Sequence, residues 1–482
     1  MQNHNDPTSP VARAERLFHA GNRHLERHDN AAAEQCFREA IALNPAFGEA
    51  HTNLAFLLDV KGQPLAAEIA YQQALACGAD SPELHLNLGV LLTAQKRFEE
   101  ALRSYANALR CAPDSSAVWS NLGVLWLMLK QDEDAATCLH RALELNPANT
   151  KAQFNLAYLH LRQGRFDSGW HYFESRSWYG PATHTLGCAR WNKGAPLVGQ
   201  SIVVCFDAGH GDVIQFCRYI PLLKKARGAA RVTLVCHPGL TTLMQTVEGL
   251  DTVMGFDQEL PEGAWDCWVP LLSLPYHFDT RGDTIPAPIP YLAADRQAVQ
   301  DWAALLPRSG LRVGLVWKGN PSFENDSERS LPRLQTLAPL WEVPGVVFVS
   351  LQKSAGDDDG EPQRDALPML RLGPRLRDFA DTAAVVCNLD LVICVDTAVA
   401  HLAGALGKPC WVLLPDFMAD WRWLSEGTSS AWYPGTMRLF RQHRRGDWSG
   451  VVHEVAHCLS REQAAPFVRF LDPSHRSSGS GG

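Results

Sequence analysis

At 482 residues the chain is too long for one core and holds material for about three domains. A formal charge of −8 without a basic stripe argues against nucleic acid as a partner, and no window approaches the roughly 18 uncharged apolar residues of a membrane span. Thirteen cysteines, none in a CxxC pair, sit mostly in apolar runs such as IVVCFD and LVICVD; with a polar start, MQNHNDPTSP, they predict reduced thiols and a cytoplasmic protein.

Residues 11 to 176 repeat with a period of 34. Alanines fall at Ala33, Ala67, Ala101 and Ala135, and again at Ala40, Ala74, Ala108 and Ala142, while Pro45, Pro113 and Pro147 close second helices. Small residues where two helices cross, with proline ending the pair, are the tetratricopeptide signature. The spacing predicts an all-α superhelix of four clear units and a degenerate fifth that ends in GRFDSGWHYFESR. A second periodic set is Asn53, Asn87, Asn121 and Asn155, each followed by leucine, with His19 at the same place in the first unit. Asparagine is a mediocre helix former, so its recurrence asks for a cause. On the first helix of such a unit its amide would face the concave groove and bond the backbone of an extended acceptor protein. Stitching of adjacent units is the other role open to it.

Residues 177–200 are turn-rich and aperiodic and read as a linker. A Rossmann-like half follows at 201–290, opening with an apolar strand that runs into DAGHGDVIQF, where Gly209, Gly211 and Asp212 make a tight turn into a helix. A second half, 291–472, carries the strands RVGLVW, VVFVSLQ, PMLRLG, LVICVD and CWVLLP and a C-terminal helix, and 473–482 reads as a flexible tail. Within this half, residues 389–415 predict a buried strand at 391–395, a turn at Asp396-Thr397, a helix of small residues at 398–406, a stop at Gly407 and a second strand at 410–414. Thr397 is a good N-cap, and the first N–H groups of the helix, beginning at Ala398, point past the strand ends, where such sheets bind anions. His401 falls one turn further on the same face.

Two Rossmann-like sheets around a cleft form the GT-B architecture, so the predicted class is multidomain: a tetratricopeptide superhelix followed by an α/β GT-B fold. The stretches GHGDVIQFCRYI, GLVWKGNP with ERSLP, DTAVAHLAGALGKP, DWRWL, WYPGTMRLFRQ and GDW resemble the heptosyltransferase-like glycosyltransferases, particularly bacterial proteins that fuse tetratricopeptide repeats to such a domain. The layout is similar to that of the O-linked N-acetylglucosamine transferases. The resemblance implies an inverting transfer of a sugar from a nucleotide-sugar donor, with no further cofactor and no metal. It implies Asp212 as the base, and Lys318, Arg329, Thr397 with the amides after it, and His401 around the phosphates. Asp396 would bind sugar or ribose hydroxyls, and Trp421, Arg422 and Trp423 would wall the nucleotide. The chain departs from the family pattern in carrying Ala208 and His210, so proton transfer by His210 and a merely capping Asp212 both stay open.

Three other strings carry less. His453-Glu454-Val455-Ala456-His457 fits HExxH but lacks a well-placed third zinc ligand, Asp357-Asp358-Asp359 sits in a Gly-flanked loop as a solvated run, and Gly209-x-Gly211 lacks the third glycine of a dinucleotide fingerprint. The expected activity is glycosylation of a Ser or Thr hydroxyl on a protein held in the repeat groove. The alternatives are transfer to a glycan or lipopolysaccharide core, and a non-catalytic repeat scaffold; assembly into a homo-oligomer stays open.

Overall fold

The computed structural model describes residues 9–176, 186–261, 263–286, 288–323, 325–353 and 368–462. The acidic run at 357–359, the tail at 473–482 and the first part of the linker lie outside the described residues. The chain divides into two compact units, one through Leu156 and one from Ala157.

The first unit is built from helix pairs. These are α1 (Pro10–Glu26) with α2 (Asn30–Leu43), α3 (Gly48–Val60) with α4 (Pro64–Ala76), α5 (Pro82–Ala94) with α6 (Phe98–Cys111), and α7 (Ser116–Met128) with α8 (Asp132–Leu145). Serines start three of the first helices: Ser9, Ser81 and Ser115 each accept from a backbone N–H of the first turn. All eight periodic alanines are fully buried. A partner set shares their period: Phe37, Tyr71, Tyr105 and Leu139 on the second helices pack over Gly21, Ala55, Gly89 and Gly123 on the first. A Cβ at Gly21 or Gly89 would come within 2.5 Å of the ring beneath it, and one at Gly123 within 2.7 Å of Leu139, so only a minimal side chain lets each pair close.

The fifth pair, α9 (Thr150–Arg162) and α10 (Phe166–Phe173), straddles the boundary, and α10 belongs to the second unit rather than to the repeats. Its aromatics explain the shift. Trp170 is buried and packs edge-on against Trp421, Trp432 and Phe216 of the α/β region.

The α/β region holds two fully parallel sheets. In the first, β1 (Ala189–Arg190), β2 (Ser201–Cys205), β3 (Arg231–Cys236), β4 (Thr252–Gly255) and β5 (Cys267–Pro270) lie in the order β1-β5-β2-β3-β4, with Val203 opposite Thr233 and Trp268. The presumed linker therefore contributes an edge strand; two residues are too few to show any periodicity. In the second sheet, β6 (Leu311–Val316), β7 (Val346–Ser350), β8 (Met369–Arg371), β9 (Leu391–Val395), β10 (Cys410–Leu414) and β11 (Met437–Arg441) lie in the order β11-β10-β9-β6-β7-β8. Four helices matter below: α11 (His210–Phe216), α12 (Phe379–Cys387), α13 (Ala398–Ala405) and α14 (Trp448–Glu462). Val451, Val455 and Leu459 of α14 close one face of the second sheet over Val313, Leu315, Ile393 and Leu413. His453 turns its Nδ1 back to the Ser449 carbonyl (2.8 Å), and no group of three His, Cys, Asp or Glu side chains able to hold a metal forms among the described residues.

Candidate functional site

Strand order fixes where a ligand can sit. From β6 the second sheet winds to β7 and β8, then returns to the other side of β6 through β9, β10 and β11. The crevice at the carboxyl ends of β6 and β9 is therefore its switch point, where doubly wound sheets take ligands. The first sheet has the same kind of point between β2 and β5, but protein fills it. Arg176, at the end of α10, donates to Asp207 through Nε and Nη2 (2.9 and 2.7 Å) and to the Ser273 hydroxyl (2.7 Å). Asp207 also accepts the Leu272 N–H at 3.1 Å.

The open crevice gathers several of the expected residues. Asp396 follows β9 directly and is 9% exposed. Burial pushes its carboxyl up to about 6, Asp420 adds repulsion, and Arg329 and Arg422 oppose both. Arg329 donates from Nε to Asp326 (3.1 Å), lies 4.3 Å over the Phe323 ring, and crowds Gly319, where a Cβ would stand 2.7 Å from Nη2. Among the described residues its remaining N–H groups meet no carboxylate. Thr397 occupies the N-cap position of α13 without making a side-chain cap bond, so the first-turn amides at Ala398 and Val399 keep no side-chain acceptor, and all three residues are half-exposed. Lys318 is half-buried on the loop after β6, its backbone N–H donating to Gln352 Oε1 at 3.0 Å.

The raised Asp396 carboxyl has a consequence for stability. A carboxyl that favours its neutral form when folded contributes stability fully present below its unfolded value, and this is lost as pH rises through about 6. Denaturation at pH 5 and pH 7 should show Asp396→Asn gaining on the wild type at the higher pH. Equal slopes in the two proteins would mean that the carboxyl is not held neutral.

Two expected ligand residues lie inside the protein instead. His401 is 5% exposed: its Nδ1 pairs with the Tyr433 hydroxyl at 3.0 Å, and its ring stacks on Trp423 at 5.3 Å. Burial, then Arg422 and Arg218, hold the imidazole neutral, well below its usual range. Trp423 is 1% exposed and Trp421 packs with Trp170, so neither ring can wall a nucleotide. These placements correct the expectation. In a helix of small residues the side chain at the second turn meets the facing helix: Gly211 of α11 sits so close that a Cβ there would stand 2.9 Å from His401 Cδ2 and 3.4 Å from Ala398 Cα.

Around that contact runs a polar seam joining the two sheets' domains. Arg422 donates from Nε to Gln215 Oε1 (2.6 Å), from Nη1 to both Asp420 oxygens (2.9 and 3.1 Å) and from Nη2 to Asp212. The other Asp212 oxygen accepts the Gly209 N–H at 2.8 Å. Asp212 is thus a helix cap and an ion-pair partner, with both oxygens engaged. Arg218 continues the seam, donating to the Trp432 carbonyl (2.7 Å) and the Tyr291 hydroxyl (2.8 Å).

His210, the first residue of α11, differs. Its ring is sandwiched between His237 (4.1 Å, 18°) and Phe379 of α12 (5.2 Å, 28°), and neither ring nitrogen bonds the described protein. Burial, with help from His237 and Lys353, lowers it to about 4. It is a neutral imidazole, oriented by stacking at the junction of the two domains, with neither nitrogen partnered among the described residues. His237 and Phe379 carry no motif; only the strand-end position of His237 hinted at them.

In the first unit the four ladder asparagines are half-exposed, and three have partners at home. Asn53 donates to Asn22 Oδ1 of the preceding pair (2.7 Å). Asn121 donates to the Ala117 carbonyl (2.8 Å) while accepting from Lys151 (2.8 Å), and Asn155 donates to the Lys151 carbonyl (2.7 Å). Asn87 lies beside the buried Tyr71 hydroxyl.

Comparison with known proteins agrees with both regions. Tetratricopeptide-repeat family models match residues 18–82, 61–117, 92–144 and 133–169, and the glycosyltransferase family 9 (heptosyltransferase) model matches residues 353–413. Protein FlbA of Caulobacter vibrioides is 27% identical over 325 residues, covering 62% of this chain and 53% of FlbA, so the chain spans about half the length of that relative. Among solved structures, Pseudomonas aeruginosa pilF is similar at 25% identity over 34% of this chain and 76% of that one (TM-score 0.32). YrrB, a TPR protein with an unusual peptide-binding site, is similar at 15% identity over 33% and 82% (TM-score 0.29). No helix among the described residues is long and apolar enough to cross a membrane.

Proposed function

We propose that this chain, which joins tetratricopeptide repeats to a glycosyltransferase family 9 domain, moves a sugar from a nucleotide-sugar donor to a Ser or Thr hydroxyl of a protein presented by the repeats. The observation that carries the reading is the β6/β9 crevice: an uncommitted guanidinium edge, free first-turn amides and a buried carboxyl, in a domain joined by a short seam to a neutral imidazole. The acceptor oxygen attacks the anomeric carbon and gives its proton to His210, whose nitrogens are free where the Asp212 oxygens are not. The bond from that carbon to the phosphate oxygen breaks on the opposite side, inverting the centre. The nucleoside diphosphate leaves with the electron pair, and Arg329, Lys318 and the Ala398 and Val399 amides hold its charge without need of a metal. Asp396 accepts from donor hydroxyls. The cysteines, none in a CxxC pair and mostly in apolar runs, favour a reducing compartment such as the cytoplasm.

A second reading, transfer to a glycan or lipid-linked core, gains from the engagement of Asn53, Asn121 and Asn155 within the repeats. The double variant Asn87→Ala/Asn121→Ala separates the two. A peptide groove predicts loss of protein modification by at least about tenfold with donor hydrolysis intact, because two backbone-bonding amides are removed. Unchanged modification would move the acceptor away from the ladder. Absence of any donor hydrolysis or nucleotide binding by the wild type would leave a scaffold without transferase activity.

A further inference from the structure

Helix α10 keeps the register of the repeats but not their surface. Gly169 and Phe173 fall 34 residues after Ala135 and Leu139, the buried small and large residues of the preceding pair. Between them stands Trp170, where the earlier units carry Glu34, Glu68, Leu102 and Ala136. Its ring is buried, and what buries it comes from both Rossmann-like halves. From the first half, Phe216 meets it edge-on at 6.3 Å and the Thr280 carbonyl accepts from its Nε1 at 3.1 Å. From the second half, Trp421 and Trp432 meet it edge-on at 5.4 and 6.2 Å. One turn earlier, Phe166 lies 5.9 Å from Trp432 of the second half and beside Gly282 of the first, where a Cβ would stand 3.6 Å from its ring. The flanks of α10 divide in the same way. Before it, the Arg162 carbonyl accepts from the Ser425 N–H and hydroxyl of the second half (2.8 and 3.1 Å); after it, Arg176 pairs with Asp207 of the first.

These contacts end beside the polar seam. Phe216 follows Gln215 and Trp421 precedes Arg422, the two residues that meet at 2.6 Å across the halves. Phe216 is also the last residue of α11, about 9 Å along the helix axis from His210 at its start. Rings packed edge-on at close density hold one arrangement, so sliding or opening the halves would break the cluster. We infer that α10 is a brace built into the α/β region and that Trp170 is its positioning residue. It fixes the opening between the two halves and, through Phe216, the place at which α11 holds His210. The link to His210 rests on the sugar-transfer reading above; the brace stands on the packing alone.

The test compares the full chain with Trp170→Leu and Trp170→Phe, well below their thermal transitions. In Trp170→Leu, hydrogen exchange should quicken about tenfold in residues 210–219 and 421–433 together, the effect of losing one or two edge-on ring pairs. Strands β3 and β9 should keep their wild-type rates, which shows that both sheets stay folded. Binding of inorganic diphosphate should stay within about twofold of the wild type, while kcat for sugar transfer falls on the order of 10²-fold as His210 moves out of line. Trp170→Phe, which loses the Nε1 bond but keeps a ring, should recover most of both. Should Trp170→Leu not fold, Phe166→Leu loosens the same cluster one turn away and should quicken exchange in both segments, by less. A lower melting temperature with kcat retained, and exchange quickened in one half only or in neither, would make Trp170 a space-filling residue and overturn the brace. Exchange quickened in both halves with kcat unchanged would overturn the positioning of His210. If the wild type transfers no sugar, the transferase reading fails, and the exchange pattern still decides the brace.

Discussion

Arg422→Met should lower the stability of the α/β region by about 3–5 kcal/mol, the range seen when one partner of a buried ion pair is removed. Arg422 is 7% exposed, and its guanidinium serves Asp212 and Gln215 of the first half and Asp420 of the second. Methionine preserves much of the packing against Trp421 and Phe216 but leaves two carboxylates and an amide facing one another without a cation. The loss should appear as a fall on the order of 10 °C in the thermal transition of that region. Adding Asp212→Asn should recover part of it, since one stranded charge is then gone. Arg422→Lys should fall between, because an ammonium cannot bond Gln215, Asp420 and Asp212 at once in the plane they define. A melting curve for Arg422→Met within about 1 °C of the wild type would show that the seam contributes little to holding the two halves together.

That seam also marks the limit of what the sequence reveals. The unit from β9 through α13 to β10 is legible because its signals are local: apolar runs of strand length, small residues at helical spacing, and Gly407, whose positive φ (+69°) ends the helix as expected. The repeats are legible for the same reason, their period being short enough to overlay by eye. Arg422 pairs with residues more than 200 positions away, and nothing near it in the chain announces Asp212. The filled β2/β5 crevice depends on Arg176 arriving from a helix pair that reads as the end of the repeats. The burial of His401 is not legible in the sequence for one physical reason: a helix read in isolation shows which residues share a face, not which neighbour covers that face. Here α11 covers it, through the glycine at 211. The aromatics Trp421 and Trp423 obey the ordinary tendency of large rings at close spacing to be core.

His210→Ala should reduce sugar transfer by about 10²–10⁴-fold, the contribution of a positioned general base, with nucleotide binding unchanged. The pH dependence gives the sharper signature. His210 is lowered to about 4, so as a base it is already unprotonated at neutral pH. The rate should be level with respect to this group from about pH 5 to 8 and fall below about pH 4. His237 is a secondary cause of that lowering, after burial, so His237→Gln should shift the acid limb upward toward the ordinary histidine range. Stability runs in the same direction: a histidine held neutral in the fold contributes stability present above its unfolded value of about 6.5 and lost as pH falls toward 4. His210→Ala should accordingly flatten the denaturation profile across that window. Free imidazole should restore part of the transfer in His210→Ala, because the cavity between His237 and Phe379 is shaped for that ring. It should do nothing for Asp212→Asn, whose defect lies in the α11 cap and the Arg422 pair. Full activity in His210→Ala, together with an unrescued loss in Asp212→Asn, would return the proton to Asp212 and require the Arg422 pair to open during turnover.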